Sequence, residues 1–166
     1  LKLVESYDDK AVFEKDENNY VDTEDFKEGT GAAVSKIYAI GNVPIIIEKT
    51  LPEGQTIDLS AYGGKADAYV FFWLYVEDVS VINHTVDGFI EFSSGGFWGK
   101  NIAQYDLNKL ELENGWNPVY LPITEFVPHF DPEVGEIDWS KVNYIRCYFH
   151  NQAKGGLEVE QTMKID

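Results

Sequence analysis

The chain has a single cysteine among its 166 residues, Cys147. An intrachain disulfide and an all-cysteine metal site are therefore excluded. Cys147 lies between apolar neighbours at alternate positions, which predicts a buried and unreactive thiol. Histidine is also scarce, and His84, His129 and His150 have no metal-ligand spacing among them.

Basic residues are few. Lys and Arg together number 13 against 29 Asp and Glu, which gives a net charge of -16 with His neutral. Nucleic acids and anionic membrane surfaces are unfavourable partners for such a chain, because both are bound through basic patches. The charge favours solubility, neutral ligands and hard cations such as calcium.

Long hydrophobic runs are missing too. The longest, around residues 68–76, is far shorter than the roughly 20 residues of a membrane-spanning helix. The chain starts at Leu1 with neither an initiator Met nor a signal-peptide pattern, as though cut from a longer precursor or multimodular protein. Secretion is therefore expected only on indirect grounds.

Short β-branched and aromatic runs separated by Gly, Asn and Asp turns make up most of the sequence. Residues 14–29 and 124–140 are expected to be loops, and 107–110 at most one helical turn. About nine strands are predicted, at 3–7, 32–40, 44–49, 69–76, 89–92, 101–107, 116–122, 143–150 and 157–165. This density of strands predicts one all-β domain over 1–166, an antiparallel β-sandwich or jelly roll.

The strand at 143–150 alternates between two kinds of side chain. Its apolar set, predicted to face the core, comprises Ile145, Cys147 and Phe149. The opposite set comprises Tyr144, Arg146, Tyr148 and His150. Aromatic rings with hydrogen-bonding heads suit a polar ligand that also has apolar faces. Considered alone, this strand favours an ordinary solvated face with amphipathic side chains lying flat, and only its context in the chain favours a ligand platform.

The strand at 69–76 is apolar on both faces, which predicts a central strand. One face carries Val70, Phe72, Leu74 and Val76, and the other Tyr69, Phe71, Trp73 and Tyr75. The aromatic face is expected to be either covered by a loop or used for binding.

The chain contains a series of short motifs in a characteristic order. They stand at 7–9 (YDD), 27–32 (KEGTGA), 72–78 (FWLYVED), 115–123 (GWNPVYLPI), 137–146 (IDWSKVNYIR) and 164–166 (KID). In this order the chain resembles the galactose-binding-like β-sandwich carbohydrate-binding modules of secreted bacterial glycoside hydrolases. The resemblance covers nearly the whole chain. It implies a non-catalytic, extracellular and monomeric module, covalently linked to a catalytic module. Such a module would bind a polysaccharide, with a neutral plant-type glycan favoured, and target the attached enzyme to its substrate.

Sugar binding needs aromatic rings for the C–H face of a pyranose and polar groups for its hydroxyls. The candidate ligand-binding residues are Trp73, Tyr75, Glu91, Trp98, Tyr144, Arg146, Tyr148 and His150, with Phe89, Gln104 and Tyr105 as lesser candidates. If the strands at 69–76, 89–92 and 143–150 share a sheet, these residues form a trough.

Each tryptophan also has a structural interpretation. Trp73 is alternatively a core residue beneath a covering loop. Trp98, in a loop between glycines, alternatively folds back to cap the edge of the sandwich. Trp116 and Trp139 are expected to serve packing rather than binding.

The resemblance further implies a structural calcium that joins the first strand, the following Gly turn and the last strand. Asp8, Glu28 and Asp166 stand at the matching positions, and calcium prefers such oxygen ligands. The alternative is that they are surface carboxylates. No EF-hand loop pattern is present.

Two other functions remain open. One is a structural or protein-interaction β-sandwich of a secreted multimodular protein. The other is a jelly-roll glycoside hydrolase or polysaccharide lyase, for which Glu91 with Asp87 or Asp106 offers a carboxylate pair. The sequence contains no Gly-x-Ser-x-Gly elbow.

Overall fold

A computed structural model of the chain describes residues 2–166, with every side chain except those of Ala39 and Lys154. Over these residues ten strands form two five-stranded antiparallel sheets. The strands are β1 Asn19–Asp22, β2 Ala32–Ile40, β3 Asn42–Thr50, β4 Tyr69–Val76, β5 Phe89–Ser93, β6 Ile102–Asp106, β7 Gly115–Pro122, β8 Val127–Pro128, β9 Tyr144–Gln152 and β10 Glu158–Ile165. The predicted all-β antiparallel sandwich is confirmed.

Helical structure is confined to short pieces. Over residues 2–166 the one α-helix, α1, spans Lys10–Phe13, and 3-10 turns occupy Val79–Val81, Leu107–Lys109, Ile123–Glu125, Pro132–Val134 and Lys154–Gly156. The turn at Leu107–Lys109 matches the one helical turn expected there. None of the helices in the described part of the chain has the length and apolarity needed to cross a membrane.

The two sheets have different strand orders. Sheet A runs β1-β2-β10-β4-β7, and sheet B runs β3-β9-β5-β6-β8. Most strands that follow one another in sequence lie in opposite sheets, as in a jelly roll. Consequently β4, the most hydrophobic strand, and β9, with its polar-aromatic face, belong to different sheets.

The core lies between the sheets and follows the predicted alternation. From β4 it receives Phe72, Leu74 and Val76, and from β9 it receives Ile145, Cys147 and Phe149. All of these side chains are buried. Burial raises the pKa of the Cys147 thiol, as expected for an inert cysteine.

The strand predicted at 3–7 is wrong. The Glu5 carboxylate accepts the backbone N–H groups of Ser6 and Tyr7, both at 3.1 Å, which a strand would donate to a neighbour. Tyr7 also adopts a positive φ of 57°. The segment instead lines a cavity of about 420 Å³ together with core residues such as Phe72 and Phe92.

Candidate functional site

The outer face of sheet B carries a row of polar side chains that crosses four adjacent strands. Arg146 of β9 lies opposite Glu48 of β3 on one side and Glu91 of β5 on the other. Gln104 of β6 lies opposite Glu91. The strands predicted at 89–92 and 143–150 therefore do share a sheet, and the pairing brings Glu91 and Arg146 together.

Three members of this polar row are almost completely buried although they point away from the core, whereas Glu48 is exposed. Glu91 is 2% exposed, Gln104 6% and Arg146 9%. Arg146 Nε donates to Glu91 Oε2 at 2.6 Å. Burial raises the pKa of Glu91, while the adjacent Arg146 guanidinium acts in the opposite direction. The expectation of an ordinary solvated strand face is therefore wrong for β9.

Two aromatic rings enclose the guanidinium of Arg146. Its Cζ lies 4.1 Å from the centre of the Tyr148 ring and 5.1 Å from that of Trp98. The loop that carries Trp98 is anchored to the sheet, because the Gly96 N–H donates to Asn143 Oδ1 at 2.8 Å. Trp98 nevertheless remains 55% exposed. Its indole thus lies above the polar row, with a large part of its surface open to solvent.

Further side chains complete the rim of the row. Tyr144 donates its hydroxyl to the Glu48 carboxylate. Burial and this hydrogen bond raise the pKa of Tyr144. The Phe89 and Tyr148 rings meet edge to face at 6.0 Å. His150 Nδ1 lies 3.1 Å from the Asn42 amide nitrogen.

Sequence reasoning missed Glu48. Its strand parity was the available signal, because it alternates with the buried residues Ile45 and Ile47 of β3 and so points outward.

The structure strengthens the case for Gln104, which the sequence indicated only as a lesser candidate. Its Oε1 atom is buried and accepts no hydrogen bond from any described residue. Such an acceptor is rare in a folded protein, and a ligand hydroxyl can reach it only if the side chains that cover it move.

Trp73 and Tyr75 do not belong to this site, so the trough predicted from three strands is wrong in this respect. Their strand, β4, pairs with β7 and β10 of sheet A. The Lys27 ammonium lies 5.5 Å from the Trp73 ring centre, and the Lys164 ammonium lies 4.9 Å from that of Tyr75. Both rings are therefore engaged with cations on the opposite side of the sandwich.

The remaining aromatic candidates have structural roles. Trp116 Nε1 donates to Asp25 at 3.0 Å. Trp139 packs against Phe92 at 5.8 Å and adjoins the core. Tyr105 is buried within the core. The packing roles expected for Trp116 and Trp139 agree with these contacts, whereas Tyr105 faces away from the site.

The three residues predicted to bind calcium are neighbours at one end of sheet A, although their carboxylates do not converge on one point. Asp166 Oδ2 accepts the N–H of Glu28 at 2.6 Å, and Asp8 Oδ2 accepts the Thr30 hydroxyl at 2.9 Å. Burial raises the pKa of Asp166, and the nearby Glu28 and Asp8 carboxylates raise it further. Over residues 2–166 no three acidic, His or Cys side chains are arranged closely enough to hold a metal ion. Calcium binding stays a prediction.

Two of the three carboxylates considered for a hydrolase, Glu91 and Asp106, are engaged in other contacts. Glu91 is ion-paired with Arg146. Asp106 Oδ1 accepts the Asn108 N–H at 2.9 Å and so caps the following 3-10 turn. A catalytic role for Glu91 would first require release of its carboxylate from Arg146.

No protein-family model matches the chain, and no curated protein matches it. The fold and the contacts of the polar row therefore carry the functional inference.

Proposed function

We propose that the chain is a non-catalytic carbohydrate-binding module that binds a polysaccharide, with a neutral plant-type glycan favoured. The observation that carries this proposal is the half-exposed Trp98 indole, which lies over the guanidinium of Arg146, the residue that is ion-paired with Glu91. The site offers one aromatic surface and several hydrogen-bonding groups within a few ångströms, the combination that a sugar ring requires.

Binding would proceed by stacking and hydroxyl recognition. The C–H face of a pyranose ring packs on Trp98. Movement of the covering side chains on binding would expose the unpartnered Gln104 Oε1 to a sugar hydroxyl. Glu48 and His150, at the rim, supply further polar contacts. The partners are held in place by the ion pair and the Tyr144–Glu48 hydrogen bond, so little conformational entropy is lost on binding. A shallow site of this kind gives Kd values of roughly micromolar to millimolar.

The proposal also covers the location, oligomeric state and attachment of the module. It is extracellular and bacterial, either secreted or at the cell surface, monomeric, and covalently linked to a catalytic module that it keeps near the substrate. Calcium has a structural role, held by the carboxylates of Asp8, Glu28 and Asp166. Burial, and to a smaller extent repulsion by Glu28 and Asp8, raises the pKa of Asp166, and a divalent cation there would favour its ionised form. The acidic surface suits neutral glycans better than anionic ones.

A second candidate function is a structural or protein-interaction β-sandwich. One observation favours it: the guanidinium of Arg146 already has a carboxylate and two aromatic rings as partners. The charged group of Arg146 is therefore satisfied within the protein and needs no ligand. The two functions differ in whether Trp98 contributes to ligand binding.

Affinity electrophoresis of the intact protein through gels containing β-glucan, xylan, mannan or pectin tests the proposal. Retarded migration in at least one gel supports it. Trp98→Ala should weaken that binding about tenfold, because the stacking surface is lost. Tyr38→Ala is the matched control, since Tyr38 is similarly exposed but lies on sheet A. Unretarded migration in every gel would sink the proposal, and reducing-sugar release from the same glycans would reveal an enzyme.

A further inference from the structure

The outer face of sheet A has a second concentration of rings along the adjacent strands β4 and β7. All four outward residues of β4 are aromatic, while Phe72 and Leu74 between them are buried. The outward residues of β7 are Trp116, Pro118, Tyr120 and Pro122, and they lie directly opposite those of β4. Aromatic and proline side chains thus occupy every outward position of both strands.

One half of this face is covered. The Lys27 ammonium lies 5.5 Å from the Trp73 ring and 5.6 Å from the Trp116 ring. Trp116 also donates to Asp25, which in turn accepts Lys164 Nζ at 2.6 Å. The loop between β1 and β2 therefore closes over these rings.

The other half is open. Tyr69 is 60% exposed and Tyr120 is 65% exposed. Phe71 lies beside Tyr120, with ring centres 4.6 Å apart and planes tilted by 35°. We name these three residues, Tyr69, Phe71 and Tyr120, the sheet A patch.

The sheet A patch is held in place by its neighbours. The edge of Trp73 meets Phe71 at 5.8 Å, and Phe71 in turn supports Tyr120. Trp73 is itself held by the Lys27 contact. Rings fixed in this way lose little rotamer freedom when a ligand stacks on them, which favours binding.

We infer that the sheet A patch is a second carbohydrate-binding surface that takes a neutral glycan chain by stacking. For its ligand class this inference rests on the proposed function, but its surface is separate. Both phenol hydroxyls remain available for sugar hydroxyls. The patch contains only uncharged side chains, so it offers no ion-pairing partner to a charged ligand.

The size and charge of the patch disfavour a protein partner. A stable protein interface buries about 800 Å² on each side. A fully buried aromatic side chain contributes roughly 150–250 Å², and Phe71 is already partly covered, so the patch falls well short of that area. A second copy of this chain would also have to overcome repulsion between two molecules of net charge -16.

The position of the patch has a direct consequence. It lies on sheet A, and the Trp98 site lies on sheet B, so the two surfaces face away from each other. One molecule can therefore engage two separate glycan chains. On a polymer that presents many chains, two engaged sites raise the apparent affinity above that of either site alone.

Titration calorimetry with hexasaccharides of β-glucan, xylan and mannan tests this inference. The wild-type protein should bind two hexasaccharides per chain. Tyr120→Ala and Trp98→Ala should each weaken one of the two binding events about tenfold, and the double variant should weaken both. Tyr38→Ala should retain two. Wild-type stoichiometry and affinity in Tyr120→Ala would overturn the inference. Should Tyr120→Ala melt at a lower temperature, Tyr69→Ala provides the same test at an equally exposed position.

The two proposals fail in different ways. If only Trp98→Ala loses binding, the sheet B site stands and the sheet A patch is refuted. If only Tyr120→Ala loses binding, the reverse holds. A wild-type protein that binds none of the hexasaccharides overturns both. Concentration-dependent dimers in sedimentation velocity that disappear in Tyr120→Ala would assign the patch to self-association instead.

Discussion

Arg146 and Glu91 form an ion pair on the outer face of a β-sheet, with Nε and Oε2 2.6 Å apart and both side chains at least nine-tenths buried. Charged groups on an outward face are normally solvated. Here Trp98 and Tyr148 replace the solvent around the guanidinium. The pair therefore behaves energetically like one in a protein interior.

Arg146→Met should lower the free energy of unfolding by about 3–5 kcal/mol, because it leaves the Glu91 carboxylate buried without its partner. Urea denaturation measures the change. Lys141→Met is the control, since its pair with Asp138 spans 3.5 Å between exposed groups and contributes about 1 kcal/mol or less. Equal effects of the two substitutions would show that the Arg146 pair is solvated.

Gln104→Met should stabilise the protein and weaken glycan binding. Removing a buried acceptor that has no partner relieves a penalty of about 1–3 kcal/mol. The same substitution takes away the atom proposed to accept a ligand hydroxyl. Thermal melting and affinity electrophoresis give the two readouts. Stabilisation with unchanged binding would place the ligand away from Gln104.

Acid should remove the contribution of Asp25 to stability. Hydrogen bonds from Lys164 and then from Trp116 lower the pKa of Asp25 in the folded protein. Its ionised form is therefore stabilising above the unfolded pKa of about 3.9, and the contribution is lost as the pH falls through the lower folded pKa.

Asp25→Asn tests this pH dependence. The variant should melt below the wild type at neutral pH, and the difference should shrink as the pH falls below about 4. The difference will be small and reduced by salt, because Asp25 is half exposed. Glu24→Gln in the same exposed loop is the control. A difference that stays constant at low pH would mean that charge is not involved.

Calcium should raise the melting temperature and a chelator should lower it, because a cation that binds only the folded state stabilises it. Asp166→Asn should abolish the response, whereas Glu158→Gln, which changes an exposed carboxylate of β10, should retain it. Magnesium at the same concentration controls for general screening of an acidic chain. An equal response to both ions, or none, would refute the site.

Alternation along single strands could be predicted from the sequence, because it depends only on the direction of successive side chains. It placed Ile145, Cys147 and Phe149 in the core correctly. Strand neighbours could not be predicted in this way. Trp73 and Tyr75 have the composition of a binding face, but their sheet is fixed by pairing with residues some 40–90 positions away.

Other errors arose from contacts outside the local pattern. Residues 3–7 have a strand-like composition, yet the Glu5 side chain takes the N–H groups that a strand would offer. Glu48 is an exposed residue, and its place in the site depends on the pairing of β3 with β9, where the Tyr144 hydroxyl donates to it. The burial of Arg146 likewise depends on a loop that begins about 50 residues earlier.

The four edge strands of the described sheets are short or contain proline. β1 has four residues and β8 only two, while β3 contains Pro44 and β7 contains Pro118 and Pro122. Proline has no backbone N–H to donate to a neighbouring strand, and a short edge strand has few backbone groups with which a strand of another molecule could pair. We therefore expect copies crowded side by side on a polymer to remain separate molecules, and not to aggregate through their sheet edges.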